Sequence, residues 1–354
     1  MLYIGLDYHT KSSYISIIDE GSREILHESI GSQEELPGFL RSLPEDSKVL
    51  FEAGYGWPRL INLLGGVKAE LIMCQPDHNR RIAGDRRKSD RRDARNLAIY
   101  LKTGGYKRAY IPDEDIREER QLTRGRTSLR EMTTSIKNRI HSILAYAGVP
   151  KESGDIFCKR RRDYLESLAL SELTRDTLDF NLKILDQVND LVDTLDARIA
   201  KLNKRDPRAR LLKTIPGVGD ITARVLLAEI GDVTRFDTDD SFACYSGLTP
   251  RQHQSSEKLR MMGLTKEGST HIRWVLVQAA WNAVRLDPAL REIFDKLKEK
   301  KNPGKAICAV ARRLAVAVWH VLSSEAPYRA RRPKELGQLG TAGEKPKPMA
   351  EVSS

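Results

Sequence analysis

The sequence predicts an α/β domain built on a mixed sheet, followed by a mainly α-helical chain. Three observations predict it. The first 75 residues alternate short apolar runs with polar turns and end in β/α units. Two later stretches repeat apolar residues every seven positions with little glycine or proline. A Gly217-Val218-Gly219 turn then opens a last, apolar helical region.

Residues 2–6, 13–19 and 25–30 suit three strands joined by turn residues, and 33–43 suits a helix. A strand at 48–52, a helix at 57–64 and a strand at 69–74 follow. A three-strand meander followed by β/α units requires both antiparallel and parallel neighbours, which defines a mixed sheet. The next helix opens at Lys88-Ser89-Asp90-Arg91-Arg92-Asp93-Ala94-Arg95. Ser89 is a good N-cap, and the spacing of Asp90 and Asp93 puts both carboxylates on one face. Leu97, Ile99, Tyr100 and Leu101 carry the helix to Gly104-Gly105. Alone, this segment also fits a solvated, salt-bridged helix start.

Asp7 closes the first strand and Glu52 the fourth. Each has a local alternative role, Asp7 in capping the following turn and Glu52 in binding the amides of Gly54 or Gly56. With Asp90 and Asp93 they make a set of four carboxylates on strand, strand and helix. Converging carboxylates repel one another, and hard oxygen donors of this kind suit Mg²⁺ or Mn²⁺.

The chain carries a formal net charge of +11 with 31% charged residues. That excess favours a polyanion, either nucleic acid or an acidic membrane surface. No run approaches the roughly 18 apolar residues of a membrane span, and no basic leader with a cleavage site opens the chain. Cys74, Cys158, Cys244 and Cys308 are scattered without ligand spacing, which argues against a disulfide framework or a zinc site. Arg80, Arg81, Arg86, Arg87, Lys88, Arg91, Arg92 and Arg95 form a basic block suited to phosphate contact.

From about 113 to 202 the chain reads as two long helices broken near Gly148-Val149-Pro150. Leu122, Leu129, Ile136 and Ile143 recur every seven residues, flanked by Met132 and Ile140. Leu178, Leu185, Val192 and Ile199 do the same, with Val188, Leu195 and Leu202 three residues after the last three. Such coiled-coil seams pair with a second subunit, the preferred expectation, or within the chain as a hairpin. The segment from Leu211 to Ala223 resembles a helix-hairpin-helix, in which Gly217 and Gly219 bring backbone amides close to a phosphate. A purely structural helical hairpin is the alternative. Apolar helices beginning near Gly268 and spanning 306–322 complete this region, and a disordered basic tail is expected from 323.

Gly5-Leu6-Asp7-Tyr8-His9, Phe51-Glu52-Ala53-Gly54, Lys88 to Ala94, and Gly247-Leu248-Thr249-Pro250 followed after four residues by Ser255 occur in that order. In these motifs the chain resembles the DEDD transposases and site-specific recombinases of bacterial insertion elements, which include the Piv-type DNA invertases. The resemblance spans about residues 1–322. It implies a RuvC-like, ribonuclease-H-type domain with Asp7, Glu52, Asp90 and Asp93 as a Mg²⁺-binding acidic tetrad, and Ser255 as a nucleophile in DNA strand exchange. Ser256 stands where glycine is usual, which leaves both hydroxyls open. Ser246 reads better as a turn residue. Arg251, Lys258 and Arg260 would stabilise phosphoryl charge. The resemblance also implies a DNA partner and, in some relatives, an element-encoded guide RNA. A cytoplasmic, nucleoid-associated bacterial protein is expected, and the heptad seams suggest a dimer or tetramer.

The expected organisation is a catalytic domain at 1–110, long helices at 111–205, a helix-hairpin-helix and transposase domain at 206–322, and the tail. Two other functions fit the same residues. One is a RuvC-like structure-specific nuclease that uses water, and the other is a nucleic-acid scaffold whose carboxylates only balance arginine charge.

Overall fold

The computed structural model describes residues 1–329 except 33, 76–88, 152, 256–257 and 266, with only the backbone described at 159, 252–255 and 258–262. The chain divides into two compact units, Met1–Pro112 and Asp113–Ser354. The fold is mixed α/β, with one six-stranded mixed sheet and a predominance of helix.

The first unit runs β1 (Tyr3–Tyr8), β2 (Ser13–Ile18), β3 (Glu24–Ile30), α1 (Glu35–Arg41), β4 (Lys48–Glu52), α2 (Trp57–Leu63), β5 (Glu70–Cys74), α3 (Asp90–Thr103) and β6 (Arg108–Ala109). The sheet order is β3-β2-β1-β4-β5-β6. β3, β2 and β1 pair antiparallel, β1, β4 and β5 parallel, and β6 antiparallel to β5. Every strand and helix expected before residue 75 forms within two residues of its expected bounds. β6 is an addition to the expected elements, since two residues carry no periodic signal.

The period of two along each strand sorts the side chains into two cores. Ile4, Leu6, Val49, Phe51 and Met73 pack with Leu36, Leu40, Leu60 and Leu64 from α1, α2 and the end of α2. On the opposite face, Leu50, Ile72 and Cys74 pack with Leu97, Tyr100 and Leu101 of α3. Burial of each large side chain stabilises the unit by roughly 1.5–3 kcal/mol. Gly5 points to the α3 face, and a Cβ there would stand 1.9 Å from the Ala94 carbonyl oxygen and 2.4 Å from the Ala98 nitrogen. Glycine at that position lets the α3 backbone rest directly on β1.

The second unit contains α4 (Glu114–Tyr146), α5 (Arg162–Ser167), α6 (Glu172–Arg205), α7 (Pro207–Leu212), α8 (Asp220–Ile230), α9 (Asp239–Tyr245), the hairpin β7 (Pro250–Ser255) and β8 (Lys258–Leu264), α10 (Thr270–Leu286), α11 (Pro288–Lys300) and α12 (Pro303–Ser324). The two long helices α4 and α6 pack on each other within the chain, whereas the preferred expectation is pairing with a second subunit. On α6 the expected seam is buried at Leu178, Leu185, Val188, Val192 and Ile199. On α4 the expected Ile136 and Ile140 are buried and Leu129 and Ile143 pack against the same core, but the stripe changes character toward the N-terminus. Met132 is 48% exposed, and the buried positions toward the N-terminus are Thr123, Arg126, Thr127 and Thr133.

Those polar residues are internally satisfied. The hydroxyls of Thr123, Thr127 and Thr133 donate to carbonyls four residues back, and Arg126 pairs with Asp196 at 2.8 and 3.1 Å. An apolar pattern cannot reveal a seam made this way.

α12 is long and apolar enough to cross a bilayer by length and composition, although Arg312 and Arg313 interrupt its apolar run. Its residues Ile307, Val310, Leu314 and Val318 are instead buried in the core of the second unit with α10 and α11. The helix continues to Ser324, and the Tyr328 backbone amide donates to the Thr214 hydroxyl at 2.8 Å, so ordered structure extends past the start expected for the tail. The rest of that tail, 330–354, lies outside the described residues. All four cysteines are free thiols.

Candidate active site and the serine hairpin

The strand parity that sets the cores also aims the acids. Asp7 shares a sheet face with Gly5, and Glu52 shares that same face with Leu50, so both carboxylates lie on the side covered by α3. Each is the residue next after the paired Leu6 and Phe51 on parallel strands. α3 begins over this edge. Ser89 accepts the Arg92 amide at 3.3 Å as N-cap, and Gly104, with φ of 72°, ends the helix. The close approach at Gly5 fixes Ala94, one turn beyond Asp90 and next to Asp93.

His9 Nε2 lies 3.3 Å from Asp7 Oδ2 and 3.8 Å from Asp90 Oδ1. The three donor atoms all lie within 4.8 Å of one another. Burial pushes the Asp7 carboxyl above its usual range. His9 opposes that shift, and the charges of Asp90 and Asp93 push it further up. Burial likewise raises the Tyr100 hydroxyl, with Glu52 and Asp93 adding to it. Asp93 therefore acts electrostatically on both Asp7 and Tyr100, and Glu52 acts on Tyr100 as well. Oxygen donors whose mutual repulsion raises a carboxyl are the donor chemistry that a divalent cation relieves.

Arg91 and Arg92 are exposed beside these acids, while Arg95 pairs with Glu24 at 3.4 Å. Arg95 therefore ties α3 to β3. Arg80, Arg81, Arg86, Arg87 and Lys88 lie outside the described residues. His9 joins the site without having stood out in the sequence as a site residue. Its position two residues after Asp7, in the turn that follows β1, is the signal that marks it.

In the second unit, Ser255 ends β7 and pairs with Lys258 at the end of the hairpin ladder. The hairpin is absent from the expected elements, because the run is polar and lacks a period of two. Ser256 lies outside the described residues, as do the side chains of Ser255, Lys258 and Arg260. Arg251 is exposed and donates to the Thr265 carbonyl at 3.3 Å across the hairpin base. Ser246 is buried, its hydroxyl donating to the Ala243 carbonyl at 2.6 Å, as suits a turn residue.

Gly217, at φ of 81°, packs against α10, where a Cβ would stand 2.2 Å from the Ala279 carbonyl oxygen. That contact alone requires glycine. Gly219 is the N-cap of α8 and faces open space. Asp220 follows it and binds Lys213 at 2.9 Å and Asn203 at 3.0 Å.

A buried polar network, invisible in the sequence, braces this unit. Arg224, 1% exposed, donates to Asn203 and Glu119. Glu229 accepts from Arg124 at 2.8 and 3.1 Å and from the Ser269 hydroxyl, the N-cap of α10, at 3.2 Å. Burial pushes the Glu229 carboxyl up, yet hydrogen bonds from Arg124 and the charges of Arg124, Arg120 and His271 hold it below its ordinary range.

Two family models match the chain. A transposase model of the DEDD type found in IS110 elements matches residues 4–147, and one described as transposase IS116/IS110/IS902 family matches 209–295. A Sinorhizobium fredii protein carrying the transposase name y4qE is 29% identical over 276 residues, 77% of this chain and 66% of the relative. The transposase for insertion sequence element IS1111A of Coxiella burnetii is 24% identical over 75% of this chain and 74% of its own length. The pilin gene-inverting protein of Moraxella bovis is 28% identical over 51% of this chain and 62% of its own. The first model spans all four carboxylates and the second spans the serine hairpin, so the two regions built above carry the same classification. The chain belongs to the IS116/IS110/IS902 family of transposases.

Proposed function

We propose that this protein cuts and rejoins DNA strands of an insertion element, with Asp7, Glu52, Asp90 and Asp93 holding divalent metal and Ser255 supplying a nucleophilic hydroxyl. The observation that carries the reading is that Asp7 and Glu52 end neighbouring parallel strands on the face covered by α3, where burial first and then the charges of Asp90 and Asp93 raise Asp7. The sheet order, with acids ending the first and fourth strands under a helix bearing two more, supports a RuvC-like, ribonuclease-H-type domain.

The donor set fits Mg²⁺ or Mn²⁺. When bound, such an ion supplies neutralising charge for a phosphodiester and favours ionisation of an attacking hydroxyl. The carboxylates hold that charge in place, and Arg91 and Arg92 position backbone phosphate beside it. The Ser255 oxygen forms an ester with phosphorus as the bond to the departing strand oxygen breaks, and that oxygen leaves with a proton. A hydroxyl of the incoming strand reverses the exchange and frees the serine.

The substitutions Ser255→Ala and Ser256→Ala, singly and together, test the serine step on element-end DNA. Ser255→Ala is expected to abolish both strand exchange and the covalent protein–DNA adduct seen on denaturing gels, with DNA binding retained. Exchange that survives the double substitution replaces this reading with hydrolysis by water. The family resemblance also points to an element-encoded guide RNA, which ribonuclease-sensitive RNA co-purifying with the protein would identify.

A further inference from the structure

The acidic cluster has a nitrogen donor among its oxygens. His9 follows Asp7 by two residues at the end of β1, where the chain turns through the His9 amide donating to the Ser12 carbonyl at 3.1 Å. The turn leaves the ring beside the start of α3, with Nε2 between Asp7 Oδ2 at 3.3 Å and Asp90 Oδ1 at 3.8 Å. Donors bound to one ion at roughly 2.0–2.2 Å lie roughly 3–3.5 Å apart. The observed separations are close to that arrangement, and small side-chain rotations would bring Nε2 and both oxygens to a single ion. Asp7 is 21% exposed, whereas His9 and Asp90 are 50% and 57% exposed, so solvent and a phosphodiester reach the open side.

We propose that His9 is a direct nitrogen ligand of the cation held by Asp7 and Asp90, and that it biases this site toward Mn²⁺ over Mg²⁺. The inference rests on the metal-binding reading above and goes beyond it in ligand and ion preference. Imidazole binds first-row transition ions well, whereas Mg²⁺ prefers oxygen ligands and keeps much of its water. Four carboxylates alone would leave the choice of Mg²⁺ or Mn²⁺ to availability. A histidine beside them gives the transition ion an added advantage.

Mn²⁺ binding to the full-length protein is measurable by electron paramagnetic resonance, with pulsed detection of nitrogen coupled to the bound ion. Mg²⁺ binding is measurable by calorimetry. The wild-type protein is expected to show nitrogen coupling. His9→Gln is expected to lose that coupling and to weaken Mn²⁺ binding by about tenfold or more, while Mg²⁺ binding changes by less than about twofold.

Asp7→Asn and Asp90→Asn are expected to weaken both ions. Absence of nitrogen coupling in the wild-type protein, or unchanged Mn²⁺ binding in His9→Gln while Asp7→Asn loses it, overturns the role of His9 and leaves the carboxylate site standing. Unchanged Mn²⁺ binding in both aspartate variants overturns the site itself, and the histidine ligand with it.

Discussion

Gly5 decides how closely α3 approaches β1. Because a Cβ would meet backbone atoms of Ala94 and Ala98, Gly5→Ala has no flexible side chain to push aside and must lift the helix. The expected cost is about 1–3 kcal/mol of stability, from overpacking, and the shift carries Asp90 and Asp93 away from Asp7. Chemical denaturation checks the first effect, and Mn²⁺ affinity of the folded fraction checks the second. At this scale the sequence is informative about carboxylates. Asp7 and Glu52 end apolar runs, and Asp90 and Asp93 share a helical face behind a serine cap, so chain geometry alone aims them. Gly217 is less legible. A glycine in a tight turn fits phosphate approach and close helix packing alike, and the position of α10 shows only that packing requires it here.

Helices and strands differ in how much of their packing the sequence displays. Apart from the two-residue β6, the strands and helices of the first unit are legible because each apolar run matches one period and is bounded by turn residues. α6 displays its seam as well. α4 displays only part of its seam, at Ile136 and Ile140, since toward its N-terminus threonines bonded to their own helix and the Arg126–Asp196 pair are buried instead. The same holds for Glu229 on α8, whose partners come from α4 and the start of α10.

Glu229 is held below its usual value of 4.5, so its contribution to stability is complete above the unfolded-state value and is lost as pH falls through the folded-state value. Glu229→Gln is expected to be less stable than the wild type by about 1–3 kcal/mol near neutrality. That difference is expected to shrink as pH falls below the ordinary carboxylate range and the wild-type carboxyl takes up its proton. Urea titrations of both proteins from neutral to acid pH check it. A difference that stays constant with pH would show that the carboxylate charge contributes nothing.

Over the whole molecule, the +11 charge and the basic residues beside the acidic site make nucleic-acid binding strongly dependent on salt. Arg91→Gln and Arg92→Gln are each expected to reduce the slope of log affinity against log salt by about 0.9 on duplex DNA, with little change in sequence preference. Fluorescence anisotropy over a salt series measures this, and an unchanged slope would remove those arginines from the phosphate interface. Charge is a property of the chain as written and points to a polyanion, while the motif order carries the resemblance that implies DNA recombination. The packing of α4 on α6 within the chain is not settled by the same sequence, because a heptad seam has the same spacing whichever helix it meets.

The most direct test of the acidic site is strand transfer on element-end DNA by Asp7→Asn, Glu52→Gln, Asp90→Asn and Asp93→Asn, measured beside DNA affinity in the same preparations. Each substitution preserves shape and removes one negative charge. If the four carboxylates hold the catalytic cation, cleavage and transfer fall by about 10²-fold or more in each variant, while DNA affinity holds or rises slightly. Full strand transfer in all four variants would contradict that role and leave the carboxylates as partners of arginine alone.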